Sequence, residues 1–148
     1  MNYLVSHKFW RCMLVAMLVP LGLIAFWPSP VDAPVQSQLA AVLKVLHTHG
    51  VPAWFNYQFV EATANVLLFV PVGFVAGLAH PKRRWWHIGV LGLVVSSCIE
   101  LGQLLFLHNR FASISDIVTN AVGAVIGALL ALLAFKQQQA RHVSATDL

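Results

Sequence analysis

Four long apolar stretches, Trp10 to Trp27, Gln58 to Ala79, Trp85 to Leu107 and Asp116 to Phe135, alternate with short polar segments along the chain. Each is long enough to cross roughly 30 Å of hydrocarbon at about 1.5 Å per helical residue. None has the two-residue alternation of an outer-membrane barrel strand, so the pattern predicts helices. Pro28, Pro30 and Pro34 break the chain after the first stretch. Beyond them Val35, Leu39, Val42, Leu43 and Leu46 recur at helical spacing, opposite Gln36, Lys44 and His47. That stripe predicts a short helix that either lies on the outer interface or packs over the bundle mouth, and in both cases can act as a lid. The expected fold is all-α: a polytopic membrane protein with a small bundle of four transmembrane helices and a short extracytoplasmic interfacial helix. Residues 1–27 form an N-terminal anchor, 28–57 an extracytoplasmic loop, 58–135 the main transmembrane domain and 136–148 a cytoplasmic tail.

Composition removes the soluble alternative. At 59% hydrophobic and 9% charged residues, a 148-residue soluble domain would lack the charge its surface needs. Seven of the nine Lys and Arg residues (Lys8, Arg11, Lys82, Arg83, Arg84, Lys136 and Arg141) flank the spans on one side, against Lys44 and Arg110 on the other. The positive-inside bias therefore places both termini in the cytoplasm. The basic clusters read as topology signals and anionic-lipid contacts, with no nucleic-acid role. Trp10, Trp85 and Trp86 fall at the proposed inner interface, and Trp27 and Trp54 at the outer one, where amphipathic rings are favoured. Val31-Asp32-Ala33 loosely resembles a signal cleavage site, but Pro34 directly after it argues for a retained first span. Cys12 and Cys98 read as buried small hydrophobes, outside any disulfide or metal framework. His47 and His49, two apart, would point about 200° apart on a helix and do not suggest a metal pair. No metal and no cofactor is expected.

Against this apolar background a few polar residues stand out. Glu61, Glu100, Asp116 and Arg110 lie inside or at the rim of the spans, where charge is costly. Glu61 and Asn65, four apart, share a face of the second span, with Phe69 further along it; Ser96, Ser97, Glu100 and Gln103 recur on the third at three- and four-residue intervals. Asp116 and Asn120 begin a stripe that continues as Gly123 and Gly127, with Ser115 as the expected N-cap. With the spans oriented, Glu61, Asn65, Glu100, Gln103, Arg110, Asp116 and Asn120 share the outer part of the bilayer and form the candidate ligand-binding set. Three ionised carboxylates against one arginine would leave uncompensated charge in a low dielectric. Pairing with Arg110, protonation, water, a cation or a ligand must relieve it. Interhelical hydrogen bonding alone is the bland alternative, and four ionisable groups with three amides exceed what it needs. Pro71 should bend the second span, and Gly73 with Gly77, like Gly123 with Gly127, forms a GxxxG pair suited to close helix packing. Whether those faces meet each other or a second copy of the chain, as a homo-oligomer, is left open.

The run Asn65-Val-Leu-Leu-Phe69-Val-Pro71-Val-Gly73, with Glu100-Leu-Gly-Gln103, Arg110, Asp116 and Asn120-Ala-Val-Gly123, resembles the VanZ-like membrane family. The resemblance covers Glu61 to about Leu130; the first span and proline-containing loop carry no matching motif. It implies a small bacterial plasma-membrane protein, in a family whose best-known members give low-level resistance to the lipoglycopeptide teicoplanin. It implies no assigned reaction. The leading expectation is a protein that binds or modulates an amphiphile of the outer leaflet, a lipid-linked envelope precursor or a lipid-tailed antibiotic. In that reading Arg110 meets phosphate or carboxylate, and the acids and amides meet sugar or amide groups. The alternative is an intramembrane enzyme acting on such a substrate, with Glu100 or Asp116 as general acid or base and Arg110 stabilising developing negative charge. No HExxH, serine elbow, cysteine nucleophile or P-loop supports it. Transport ranks third, since a polar layer confined to one leaflet traces no continuous path.

Overall fold

A computed structural model describes residues 7–27, 34–107 and 112–146, with side chains to residue 139. Among these residues there are five helices: α1 (His7–Ala25), α2 (Gln36–Thr48), α3 (Tyr57–Ala79), α4 (Trp85–Phe106) and α5 (Ile114–Thr146). No strand occurs among the described residues. The helices α1, α3, α4 and the Ile114–Gln139 part of α5 are each long and apolar enough to cross a membrane. Many of their large apolar side chains, such as Val15, Leu67, Leu105 and Leu133, are exposed. This suits a bundle whose solvent is lipid, because there is no cost to leaving leucine against acyl chains.

The centre of the bundle is the α3–α5 pair, with α4 against α5 and α1 against α3. The closeness of α3 and α5 follows from their glycines. A Cβ at Gly73 would overlap the backbone of Ala124, one at Gly123 the carbonyl of Val66, and one at Gly127 the backbone of Val70 and Phe74. The two GxxxG faces therefore pack on each other within a single chain. Gly92 of α4 makes room for the Ala124 methyl, 2.6 Å from where its own Cβ would lie. Leu21, Phe69 and Ala124 form one core cluster, and Ala76, Ile88 and Ala128 a second nearer the other end.

The helix ends and the thiols supply several local details. Asn56 caps α3, accepting the Phe59 N–H at 3.1 Å. The cap of α5 is Ser113, two residues earlier than expected: its Oγ accepts the Asp116 N–H at 3.3 Å, because the helix already begins at Ile114. That helix also continues past Phe135 to Thr146, so its last turns extend through the predicted tail. Pro71 is exposed within an unbroken α3. Cys12 and Cys98 are exposed rather than buried; a bundle with a lipid-facing exterior has no need to hide a small apolar thiol.

The stripe on α2 is only partly used. Leu43 is buried and Leu39 and Leu46 are half-buried, whereas Val35 and Val42 are exposed. Gln36 Nε2 donates to the Tyr57 hydroxyl at 3.4 Å, and the His47 ring nitrogen Nε2 lies 3.1 Å from the Phe55 carbonyl, so α2 is tied near both its ends to the start of α3. Gly50, with φ of 93°, turns the chain after α2 in a backbone region that glycine enters at little cost. Trp54, Phe55 and Phe59 then cluster, Trp54 and Phe59 edge-on at 5.1 Å between centroids. The result is a short helix packed over one end of the bundle.

Candidate ligand-binding cavity

At the end of the bundle covered by α2 lies a cavity of about 380 Å³. Helix α3 contributes Tyr57, Glu61 and Asn65, α4 contributes Glu100 and Gln103, and α5 contributes Asp116 and Asn120. Leu21, Ile24 and Ala25 of α1 and Leu39 of α2 complete the wall. Local periodicity explains the gathering: Glu61 with Asn65, and Asp116 with Asn120, are one helical turn apart, so each pair projects from one face. The glycine contacts one or two turns away hold α3 and α5 close enough for those faces to share a space. Phe69, 1% exposed, lines the cavity beside the apolar cluster of Leu21 and Ala124. A smaller space of about 40 Å³ touching Phe69 from the other side is lined, among the described residues, by apolar side chains and glycine. The polar layer therefore ends at Phe69.

Burial differs sharply among the polar residues. Glu100, Gln103 and Asn120 are 5%, 6% and 7% exposed, Asn65 and Asp116 are half-buried, and Glu61 is exposed. Ile24 and Leu68, which also line the cavity, are exposed too, so the wall reaches the outer surface of the bundle with both a carboxylate and apolar edges. Each deep polar group is tied to a different element. The Glu100 carboxylate accepts the Ser113 backbone N–H at 2.7 Å, at the N-terminus of α5 where the helix dipole favours negative charge. Gln103 Nε2 donates to the Ala25 carbonyl at 2.8 Å. That carbonyl ends α1 and is one of the groups a helix terminus leaves without an internal partner, so Gln103 serves as a C-cap supplied by another helix. Asn120 Nδ2 donates to Ser96 Oγ at 2.9 Å, and its Oδ1 is buried without a hydrogen-bond partner among the described residues.

Six of the seven residues expected at the site, Glu61, Asn65, Glu100, Gln103, Asp116 and Asn120, thus line one cavity. Arg110 lies outside the described residues. The glycines Gly73, Gly77, Gly123 and Gly127 lie away from the cavity lining, and Pro71 does too. Among the described residues, no group of three or more His, Cys, Asp or Glu side chains is placed to hold a metal ion.

A family model for VanZ/LLP1 matches residues 8–135. The chain belongs to the VanZ/LLP1 family. The match takes in α1 and the proline-containing segment, where the sequence motifs were silent, and α1 proves to be a wall of the cavity. No curated protein and no solved structure matches the chain.

Sequence reasoning missed several parts of this VanZ/LLP1 site. Ser96 stands out on the Glu100 face but lies outside the expected binding set, and its hydroxyl proves to accept from Asn120. The Ala25 carbonyl and the Ser113 N–H could not have been found, because every residue carries such groups and only packing selects which of them faces a polar side chain.

Proposed function

We propose that this VanZ/LLP1-family protein holds the polar head of an amphiphile in its α2-covered cavity, with both termini cytoplasmic and the cavity in the outer leaflet of a bacterial plasma membrane. The observation that carries this reading is a cavity about 380 Å³ in size that combines buried acid and amide groups with exposed apolar edges at Ile24 and Leu68. A head group with hydrogen-bonding capacity fits the first and its acyl or prenyl chain fits the second. The seven-to-two distribution of basic residues supports the orientation. In the same reading Arg110 supplies the cation that meets phosphate or carboxylate on the ligand, and Glu100, Gln103 and Asn120 meet its sugar or amide groups. A lipid-linked envelope precursor is the leading occupant. A glycopeptide with a lipid tail, of the teicoplanin type, has the same division into polar head and apolar tail, and a contribution to resistance follows if it enters or is excluded.

The deciding experiment is mass spectrometry of the lipids that copurify with the wild-type chain and with Glu100→Gln. The amide keeps an oxygen for the Ser113 N–H while removing the acid from the cavity, so the variant should still fold. Selective retention of a polyprenyl-linked lipid by the wild type and its loss in Glu100→Gln is the expected result. A folded wild-type protein that retains no such lipid, and shows no saturable binding of one, refutes the proposal. Arg110→Lys should lose retention as well, because an ammonium cannot reproduce the planar guanidinium fork.

A further inference from the structure

The other end of the bundle carries a second cavity of about 360 Å³ with the opposite chemistry. His7 and Arg11, one turn apart on α1, form one side, and His80, Lys82 and Arg83 in the α3–α4 turn form the other. The turn is closed by the Arg83 N–H donating to the His80 carbonyl at 2.9 Å, with Pro81 at the position where a fixed φ favours a tight turn. It aims Lys82 and Arg83 back toward α1 instead of letting them spread over the surface. Among the described residues, no carboxylate lines this cavity. The three carboxylates among the described residues, Glu61, Glu100 and Asp116, all line the other one, which begins about 15 Å further along α1, counting from Arg11 to Leu21. Trp10, Trp85 and Trp86 adjoin the basic groups in sequence and mark the depth as that of lipid head groups.

We infer that this groove is a binding site for a phosphate-bearing anion, presented by the head group of an anionic phospholipid or as free phosphate, that bridges α1 to the α3–α4 turn. Basic residues needed only for topology would do their work dispersed around the bundle. Here three permanent cations and two imidazoles from separate elements converge on one concavity, and two of the cations are guanidinium groups able to grip phosphate oxygens in pairs. The bridge has a structural consequence. The α1 span is the least buried of the four, 11% against 33% for each of the others, so a shared anion strengthens its attachment at the end remote from Gln103. Because Leu21, Ile24 and Ala25 of α1 wall the first cavity, occupancy of the groove steadies that wall.

The test uses the full chain in bilayer nanodiscs of phosphatidylcholine with and without phosphatidylglycerol, and native mass spectrometry to count retained phosphatidylglycerol. The wild type should retain it selectively, and rising ionic strength should release it. Arg11→Gln/Arg83→Gln should retain about tenfold less, and Arg11→Lys/Arg83→Lys should fall between that pair and the wild type, because the charge stays while the paired guanidinium grip is lost. Lys136→Gln/Arg141→Gln, which removes the same charge from the end of α5, should behave as the wild type. Inorganic phosphate that binds in pure phosphatidylcholine discs and is lost in Arg11→Gln/Arg83→Gln assigns the groove to the soluble anion; retention of phosphatidylglycerol unaffected by added phosphate assigns it to the lipid. Equal loss in the two Gln pairs reduces the effect to bulk charge and overturns the inference, as does the absence of both lipid and phosphate binding in the wild type. These outcomes are independent of what the α2-covered cavity retains.

Discussion

Replacing Gly127 by alanine places a methyl group inside the backbone of α3, and its effect can be set against the same change at Gly22. At Gly127 the new Cβ would overlap the Val70 carbonyl and lie 2.5 Å from the Phe74 nitrogen. Neither atom can swing aside, so the two helices must separate by about 1 Å to restore ordinary contact. A gap of that size forfeits about a third of the attraction of each atom pair; over on the order of 30 pairs at about 0.15 kcal/mol each, the loss is about 1.5 kcal/mol. Overpacked cores show costs of about 1–3 kcal/mol. Alanine recovers at most about 1 kcal/mol through helix propensity, leaving a net destabilisation of roughly 0.5–2 kcal/mol. At Gly22 of α1 a Cβ meets nothing within 4 Å, so only the propensity gain of about 0.5–1 kcal/mol remains. Unfolding in dodecylmaltoside micelles with increasing SDS fraction, followed by the fluorescence of the five tryptophans, should move the midpoint down for Gly127→Ala and up for Gly22→Ala. If Gly127→Ala is as stable as the wild type, or Gly22→Ala falls with it, the close approach of α3 and α5 is not what holds the bundle together.

Further consequences follow from the polar contacts. Gln103→Leu removes the cap on the Ala25 carbonyl and leaves a backbone acceptor without its partner, so the same titration should register a loss of about 1–3 kcal/mol. Ser96→Ala removes the hydroxyl that accepts from Asn120 and should cost about 0.6–2 kcal/mol. The double variant Ser96→Ala/Asn120→Leu removes both members of the pair and should be no less stable than the single one, which a double-mutant cycle will read. Ser113→Ala deletes the N-cap of α5 at a cost of about 1 kcal/mol, yet the backbone N–H held by Glu100 remains. Its lipid retention should therefore match the wild type once stability is matched, whereas Glu100→Gln should lose retention at little stability cost.

The spans, the α2 stripe and the polar faces were legible because each is local. Apolar run length and three-to-four-residue spacing depend only on residue types and helical geometry, and Glu61 with Asn65, or Asp116 with Asn120, shares a face in any packing of the chain. The small faces of α3 and α5 were legible too, as Gly73-xxx-Gly77 and Gly123-xxx-Gly127. A small face states that something comes near and leaves the identity of the neighbour unstated, so self-association and internal packing looked alike. In the fold these faces meet within the chain, with Ala124 seated on Gly73 and Val66 on Gly123.

Tertiary structure alone also drew α1 into the cavity, through the carbonyl of Ala25, and aligned Arg11 with Lys82 and Arg83. The physical reason is the same in each case. Residue chemistry and helical period determine which groups share one face of one helix, and these are written in a short stretch of sequence. Which faces then confront one another is a sum over many weak contacts between distant segments, settled here by how closely glycine lets two backbones approach.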